Sequence, residues 1–427
     1  MNIAVIGSGG REHALCTYIA KSPRCGALHC LPGNAGIAQV ATCVDIAPTD
    51  TDGIVAYCQT HDIGLVVIGP ETALAANLSG ALREADIPVF GPTARTALLE
   101  TSKKFMKDLC LTNGIPTADY RTFNESEKAR EYLKTSSYPI VIKADGLAAG
   151  KGVVIAHNLE AALATIDDMM TAGTLGSAGQ TVVIEEFLEG EEVSYFVLFC
   201  PYQEPLVLTS AQDHKQVGDG DTGPNTGGMG AYSPAPVLTP ELEKQVLAQI
   251  VYPLTETIQD TFFTYNGVLF LGLMLTKTGP KLLEINTRFG DPETQAILPR
   301  LNTDLVDVLY ATATSTLKSL PPLSWTPEPS LCVVIAAQGY PGEPVKGSVI
   351  GNVDAAANMT GITLFHAGTR QQGNDLVAAG GRVLGVTATA ATLAEAQKRA
   401  YAAVDTIHWP QGFCRRDIGW RALKNNS

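Results

Sequence analysis

Residues 282–294 read Leu282-Leu283-Glu284-Ile285-Asn286-Thr287-Arg288-Phe289-Gly290-Asp291-Pro292-Glu293-Thr294. Side chains alternate faces along a strand, so Glu284 and Asn286 point one way and Leu283 and Ile285 the other. Two oxygen donors spaced in this way suit a hard cation such as Mg²⁺ held beside phosphates. Arg288 lies one step on and on the same side, where it can balance charge on a transferring phosphoryl group. A polar outer strand face is the plain alternative. The dense run of charged residues and glycine that follows weighs against it.

A second group is Lys143-Ala144-Asp145-Gly146-Leu147-Ala148-Ala149-Gly150-Lys151-Gly152. It is not a Walker A loop, because only three residues separate Gly146 from Gly150 and Gly152 follows Lys151 where Ser or Thr belongs. The loop joins two strands. Such a loop can fold over a triphosphate, offering backbone N–H groups while Lys143 and Lys151 neutralise charge. A flexible hairpin with solvated lysines would seldom carry this many glycines. Further on, Glu185-Glu186-Phe187-Leu188-Glu189-Gly190-Glu191-Glu192 ends a strand. Its backbone can give an adenine its hydrogen-bonding edge, and Glu191 can hold ribose hydroxyls. Taken alone this run reads as a solvated acidic turn.

Asp213-His214-Lys215 leads into a glycine-rich stretch ending Gly227-Gly228-Met229-Gly230, which cannot bury a core of its own and reads as substrate-binding. At the N-terminus, Gly7-Ser8-Gly9-Gly10-Arg11-Glu12-His13 joins a strand to a helix. Glycines and a helix N-terminus favour a phosphate. Glu12 stands where a dinucleotide fingerprint needs its third glycine, and no acid is suitably placed downstream, so NAD is disfavoured. A phosphate-bearing ligand and a tight turn without any ligand remain evenly matched.

These groups must be carried by several domains, since 427 residues exceed one ordinary core. Apolar runs at 3–6, 27–31, 65–68 and 88–90 alternate with helical stretches, which implies a parallel α/β sheet over residues 1–100 with ligands at its carboxyl edge. Strands at 138–143, 153–156 and 181–185 with helices between them form a small two-layer unit. Strands at 193–199, 267–275 and 280–286 form a larger one. A Pro-rich linker at 320–329 precedes a final α+β unit, which is expected to pack beside the middle domain and close the cleft. The overall class is therefore α/β and α+β multidomain: an N-terminal domain at 1–100, a middle domain at 101–320 with 118–188 as a mobile lid, and a C-terminal domain at 325–424.

Hydrophobic residues make up 45% and charged residues 17%, as in a folded protein. A net charge of -13, with 43 acidic against 30 basic residues, argues against a nucleic-acid binder. The nine cysteines form no CxxC pair and read as small buried hydrophobes in a reducing compartment. With neither a signal-like start nor a membrane-length apolar run, a cytoplasmic protein with no membrane partner is expected. No GxSxG elbow or His/Cys metal spacing is present.

Together these motifs resemble the ATP-grasp superfamily. More closely, along essentially the whole chain, they resemble the phosphoribosylamine–glycine ligase family. The resemblance extends from Gly9-Gly10-Arg11-Glu12-His13-Ala14 and Pro32-Gly33-Asn34-Ala35-Gly36 to Phe413-Cys414-Arg415-Arg416-Asp417-Ile418-Gly419-Trp420. It implies a C–N ligase of purine biosynthesis that joins glycine to 5-phosphoribosylamine with ATP, through glycyl phosphate and without a protein nucleophile. It also implies site roles. Lys103, Lys143, Asp145, Gly146, Gly150, Lys151, Gly152, Glu185, Glu186, Phe187, Leu188 and Glu191 would hold ATP, and Glu284 and Asn286 the cation, Mg²⁺ or Mn²⁺. Gly9, Gly10, Asn34, Asp213, Arg288, Pro292, Glu293 and Thr294 would form the glycine and amine pocket, with Arg288, Lys143 and Asp213 closest to the chemistry. A monomer is expected. Many superfamily members carry an acidic metal ligand on the preceding strand; here it reads Phe270-Leu271-Gly272-Leu273-Met274. Another ATP-grasp ligase, a non-catalytic nucleotide binder and a dehydrogenase are the competing readings.

Overall fold

The apolar run after Met1 forms a buried strand, Asn2–Gly7, at the centre of a five-stranded parallel sheet. A computed structural model describes residues 1–148, 152–262 and 264–424. The sheet order is Thr42–Cys43, Leu28–Pro32, Asn2–Gly7, Ile63–Ile68, Val89–Phe90. Both faces are covered, so its central strands read as nearly continuous Val, Ile and Leu. The order reverses between Asn2–Gly7 and Ile63–Ile68, and Gly7 and Gly69 stand side by side at that edge. Thr42–Cys43 is too short to carry a periodic signal.

Residues 120–186 hold a four-stranded antiparallel sheet ordered Tyr120–Phe123, Val182–Glu186, Ile140–Ala144, Val153–Ala156. Helices Ser126–Lys134 and Leu159–Ile166 cover one face through Ala129, Leu133, Ala162 and Ile166, which pack on Ile140, Ile142, Val182 and Ile184. The other face is left to the cleft.

The strands expected at 193–199, 267–275 and 280–286 are Glu191–Phe199, Gly267–Thr276 and Gly279–Asn286. They belong to one antiparallel sheet that does not stop at the Pro-rich segment. It runs from Gly279–Asn286 through Gly267–Thr276, Glu191–Phe199, Leu206–Asp213 and Gly230–Ser233, then into Ser330–Ala337, Arg382–Thr389 and Ile362–His366. The join is Gly230–Ser233 against Ser330–Ala337, in register from Gly230↔Val333 to Ser233↔Ser330. The last hundred residues are therefore a continuation of the middle sheet as well as a covering. Helix Leu393–Thr406 packs on this extension through Ala396, Ala400 and Ala403, whose small side chains allow close approach.

Of the cysteines, Cys43 is exposed and Cys25 and Cys414 are half-buried; the other six are buried free thiols. Among the described residues no helix is long and apolar enough to cross a membrane.

Candidate active site

Two cavities open between the three units. One, of about 660 Å³, lies between the carboxyl edge of the N-terminal sheet, the Gly279–Asn286 strand and the C-terminal domain. The other, of about 270 Å³, lies between the lid sheet and the middle sheet. They share Val153, Asp213, Lys215, Thr226 and Glu284 in their linings, so the cleft is continuous and Glu284 stands at its bend.

Glu284 and Asn286 share the cleft face as expected, and the Asn286 amide donates to Glu284 Oε1 at 3.4 Å; Leu283, expected on the opposite face, lines the cleft beside Glu284 because the register slips at that point of the strand pair. Lys103 Nζ and Lys215 Nζ each lie 3.9 Å from a Glu284 oxygen. Burial alone would push this carboxyl up; Lys215, Lys103 and Lys143 outweigh it and hold the pKa at about 2. Glu284 is thus ionised throughout the useful pH range. The strand beside it carries Gly272 directly opposite, where an added Cβ would lie 2.9 Å from Glu284 Cγ. The acid missing from this strand is replaced by the space that Glu284 fills.

Arg288 is fixed from three sides. Its Nη2 donates to Asn286 Oδ1 at 3.1 Å and pairs with Glu100 at 2.9 Å, while Nε lies 3.4 Å from Glu71. Burial would lower its pKa, but Glu100 and Glu71 raise it overall. Glu100 also accepts from the Thr287 backbone and hydroxyl, at 2.8 and 3.0 Å, which locks the turn after the strand.

On the lid, Lys143 is buried with Nζ 3.0 Å from Glu185 Oε2. Lys107, wholly buried, reaches the same oxygen at 2.9 Å and donates to Thr117 at 2.8 Å. Glu185 therefore aims Lys143. Its second oxygen, Oε1, is buried without a hydrogen-bond partner among the described residues. Glu186, Phe187 and Leu188 line the same cavity, with Val141, Ile155, Met274 and Leu283 as its apolar walls. Glu192 lines it too, whereas Glu191 is its neighbour on the opposite strand face. Gly146 and Gly152 line the larger cavity. The Asp145 carboxylate faces away, accepting from Ser102 Oγ and the Lys104 backbone at 3.0 Å each, and so ties the lid to helix Lys103–Thr112. Gly150 and Lys151 lie outside the described residues.

At the bend, Asp213 is pushed up to about 8, first by burial and further by Glu293, Glu192 and Glu284, against the pull of Lys215. Lys215 pairs with Glu192. Glu293, buried and also raised by burial, accepts from Ser194 Oγ at 3.1 Å.

The N-terminal turn differs from the sequence reading. Glu12 folds back so that Oε2 accepts from Gly9 N–H at 2.6 Å and Oε1 pairs with Arg11 at 2.6 Å. A carboxylate already occupies the anion position, which is the physical reason glycine is absent there. Gly9 still borders the large cavity, but Gly10 packs under Gln295 and the C-terminal domain. Asn34 is spent on structure: its amide donates to Ser8 O at 2.8 Å and His366 O at 3.0 Å, and its oxygen caps Gly36 and Ile37. Thr294 is buried with its hydroxyl on Gly290 O, and Pro292 packs against Gly228. Of Gly9, Gly10, Asn34, Pro292, Glu293 and Thr294, Gly9 and Glu293 line the cavity, together with Arg11 and Glu12.

Sequence reasoning missed several residues. Lys215 was signalled by its two-residue spacing from Asp213. Nothing local marks Arg382, which reaches from the C-terminal domain to Asp291 Oδ1 at 3.5 Å and to the Gly228 carbonyl at 3.3 Å, and which lines the large cavity with Tyr340.

Against this geometry, family models for the N, ATP-grasp (A) and C domains of phosphoribosylglycinamide synthetase match residues 1–100, 101–294 and 330–421. The chain belongs to the phosphoribosylglycinamide synthetase family. A phosphoribosylamine–glycine ligase of Rhizobium meliloti is 52% identical over 99% of both chains. The chloroplastic enzyme of Arabidopsis thaliana is 52% identical over 97% of this chain and 79% of its own length. The crystal structure of the Thermotoga maritima ligase superposes with a TM-score of 0.84 at 32% identity, covering 98% of this chain and 100% of that one. A biotin carboxylase domain from Hydrogenobacter thermophilus shares the fold, with a TM-score of 0.76 at 16% identity over 96% of this chain and 91% of that one. As a phosphoribosylglycinamide synthetase, the chain is an ATP-dependent C–N ligase that joins glycine to 5-phosphoribosylamine in purine biosynthesis. The dehydrogenase and non-catalytic readings are thereby set aside.

Proposed function

We propose that the two cavities divide the substrates, with ATP in the slot under the lid and glycine and the amine in the larger cavity, and that phosphoryl transfer happens where they meet. The observation that carries this is the bend itself, where Glu284, Lys215 and Asp213 belong to both linings. The adenine lies against Glu186–Leu188 between Val141, Ile155, Met274 and Leu283, and the orphaned Glu185 Oε1 is free to accept a hydrogen bond from it. The MgADP bound by the Hydrogenobacter thermophilus domain supports a nucleotide in this fold.

Lys143 and Lys103 take the phosphates. Glu284 and Asn286 Oδ1 fit a hard cation: both are oxygen donors, one is ionised at neutral pH, and phosphate oxygens and water complete the set. When bound, that cation neutralises charge on the transferring phosphoryl group. Comparing turnover with Mg²⁺ and Mn²⁺ identifies which ion is preferred. The glycine carboxylate attacks the γ-phosphorus and ADP leaves. The amine nitrogen then attacks the glycyl carbonyl, the C–O bond to phosphate breaks, and the nitrogen loses one proton. Asp213 accepts that proton in its carboxylate form, its pKa of about 8 making it a stronger base than an ordinary carboxylate, and Arg288 steadies the acyl phosphate. Position and charge do the work. A monomer in the cytoplasm remains the expected state and compartment. Glycine labelled with ¹⁸O in its carboxylate tests the sequence of steps. One label should appear in released phosphate; label retained wholly in the amide product and water would exclude glycyl phosphate.

A further inference from the structure

The segment after the short strand Gly412–Phe413 carries a charge network that the reaction scheme does not use. Arg415 is 1% exposed. Its Nε and Nη2 donate to the two oxygens of Asp417 at 2.8 Å, and Nη1 donates to Asp221 Oδ1 at 2.9 Å and to the Gln216 carbonyl at 3.1 Å. Arg421 holds the other Asp221 oxygen at 2.7 Å. Backbone bonds stitch the same surfaces: Gly220 N–H to Asp417, Arg416 N–H to Asp219, both at 2.8 Å. Two arginines thus face two aspartates, and the charges balance.

The partner surface is the hairpin of Gln216–Gly218 and Thr222–Asn225. It is a largely exposed two-stranded ribbon, which cannot hold its own position in water. Immediately before it stands His214, wholly buried. Its Nε2 accepts from Gly419 N–H at 2.9 Å, so the neutral ring carries its proton on Nδ1; that buried atom has no hydrogen-bond partner among the described residues and faces the Asp221 carboxylate electrostatically, with Oδ1 at 3.6 Å. His214 is flanked by Asp213 and Lys215, both of which line the bend. The C-terminal segment therefore grips the one residue between two groups of the site.

We propose that Arg415 and Asp221 are positioning residues for the ligation: the Asp221 carboxylate, clamped by the C-terminal segment, fixes His214 and through it sets Asp213 and Lys215 against Glu284. This rests on the reading of Asp213 and Lys215 given above. A displacement of a fraction of an ångström at such groups is felt in turnover. A staple that only stabilises the fold would change melting temperature and active fraction and leave substrate handling alone.

The test is steady-state kinetics of full-length Asp221→Asn, with Arg415→Lys as the second variant should the first not fold. Arg421 is left intact because it also lines the nucleotide slot. The kcat per titrated active site should fall about tenfold while the Michaelis constant for glycine stays within about twofold, and Asp221→Glu should recover part of the loss. In a cycle with Asp213→Asn the two effects should be strongly non-additive. An unchanged kcat in a folded variant, or simple additivity, overturns the proposal. Asp213→Asn separates the layers. If that variant is impaired beside an indifferent Asp221→Asn, the clamp alone is wrong. If Asp213→Asn keeps the parent kcat, the role of Asp213 falls and the clamp's function with it.

Discussion

Two glycine clusters follow strands in this chain and differ in what surrounds them. At Gly7–Glu12 the protein fills its own turn: an added Cβ would lie 2.7 Å from Glu12 Cδ at Gly7, 2.8 Å from Glu12 Oε2 at Gly9 and 1.9 Å from Glu12 Oε1 at Gly69. These glycines make room for a carboxylate. In the lid loop, an added Cβ at Gly146 or Gly152 would meet the methyl groups of Ala178 and Ala148; Lys143 stands on the strand before the loop, and the Asp145 carboxylate is turned away onto Ser102 and Lys104. Glycine density alone does not make a phosphate site. What decides is whether the concavity already holds an anion or is flanked by cations.

That contrast can be broken or sharpened by experiment. The largest effect should come from the lysine-flanked end. Glu284→Ala is expected to lower kcat by about 10³-fold in an ADP-release assay, and Arg288→Ala by about 10²-fold. A Glu284→Ala enzyme within tenfold of the parent would move the chemistry elsewhere. At the self-filled turn the effect should be on stability: Gly69→Ala pushes into Glu12 and should cost about 1–3 kcal/mol, seen as a lower melting temperature. Retained stability there would mean Glu12 moves aside readily and the turn is not filled in the sense described.

The seam between the N- and C-terminal domains should show acid sensitivity. Burial, then the neighbouring His366, holds His13 at about 3, and burial holds His366 at about 4, against an ordinary 6.5. His13 Nδ1 accepts the His366 backbone N–H at 2.7 Å, so protonation breaks the contact. The unfolded chain takes up these protons first. Their contribution to stability is full above pH 6.5 and is lost as pH falls towards 3. Denaturant titrations across that window should show a slope that His13→Gln reduces. The smallest effect should be Glu191→Ala, within about twofold for the ATP constant, because the strand pleat turns it away from the slot that Glu192 lines.

The alternating strand face of Glu284 and Asn286, the parallel sheet of residues 1–100 and the lid strands were legible in the sequence, because each is a local pattern of period two or of strand and helix in turn. The aim of individual side chains was less so. Asp145 sits inside the lid motif yet caps a helix, and Asn34 sits in a family motif yet spends its whole amide on backbone groups. Both carry the residue type a ligand would want, and only the neighbours brought by folding show that the bonds are already used.

By itself the sequence determined the local alphabet: which stretches form strands, which faces are polar, and that a glycine loop with lysines lies between two strands. Tertiary structure alone decided that the middle sheet continues through Gly230–Ser233 into Ser330–Ala337, that Arg382 reaches the site and Arg415 reaches Asp221 from far along the chain, and that Glu12 fills the first turn. The reason is range. Periodicity reports on neighbours a few residues apart, whereas Arg415 and Asp221 meet across 194 residues and leave no pattern in the residues between them.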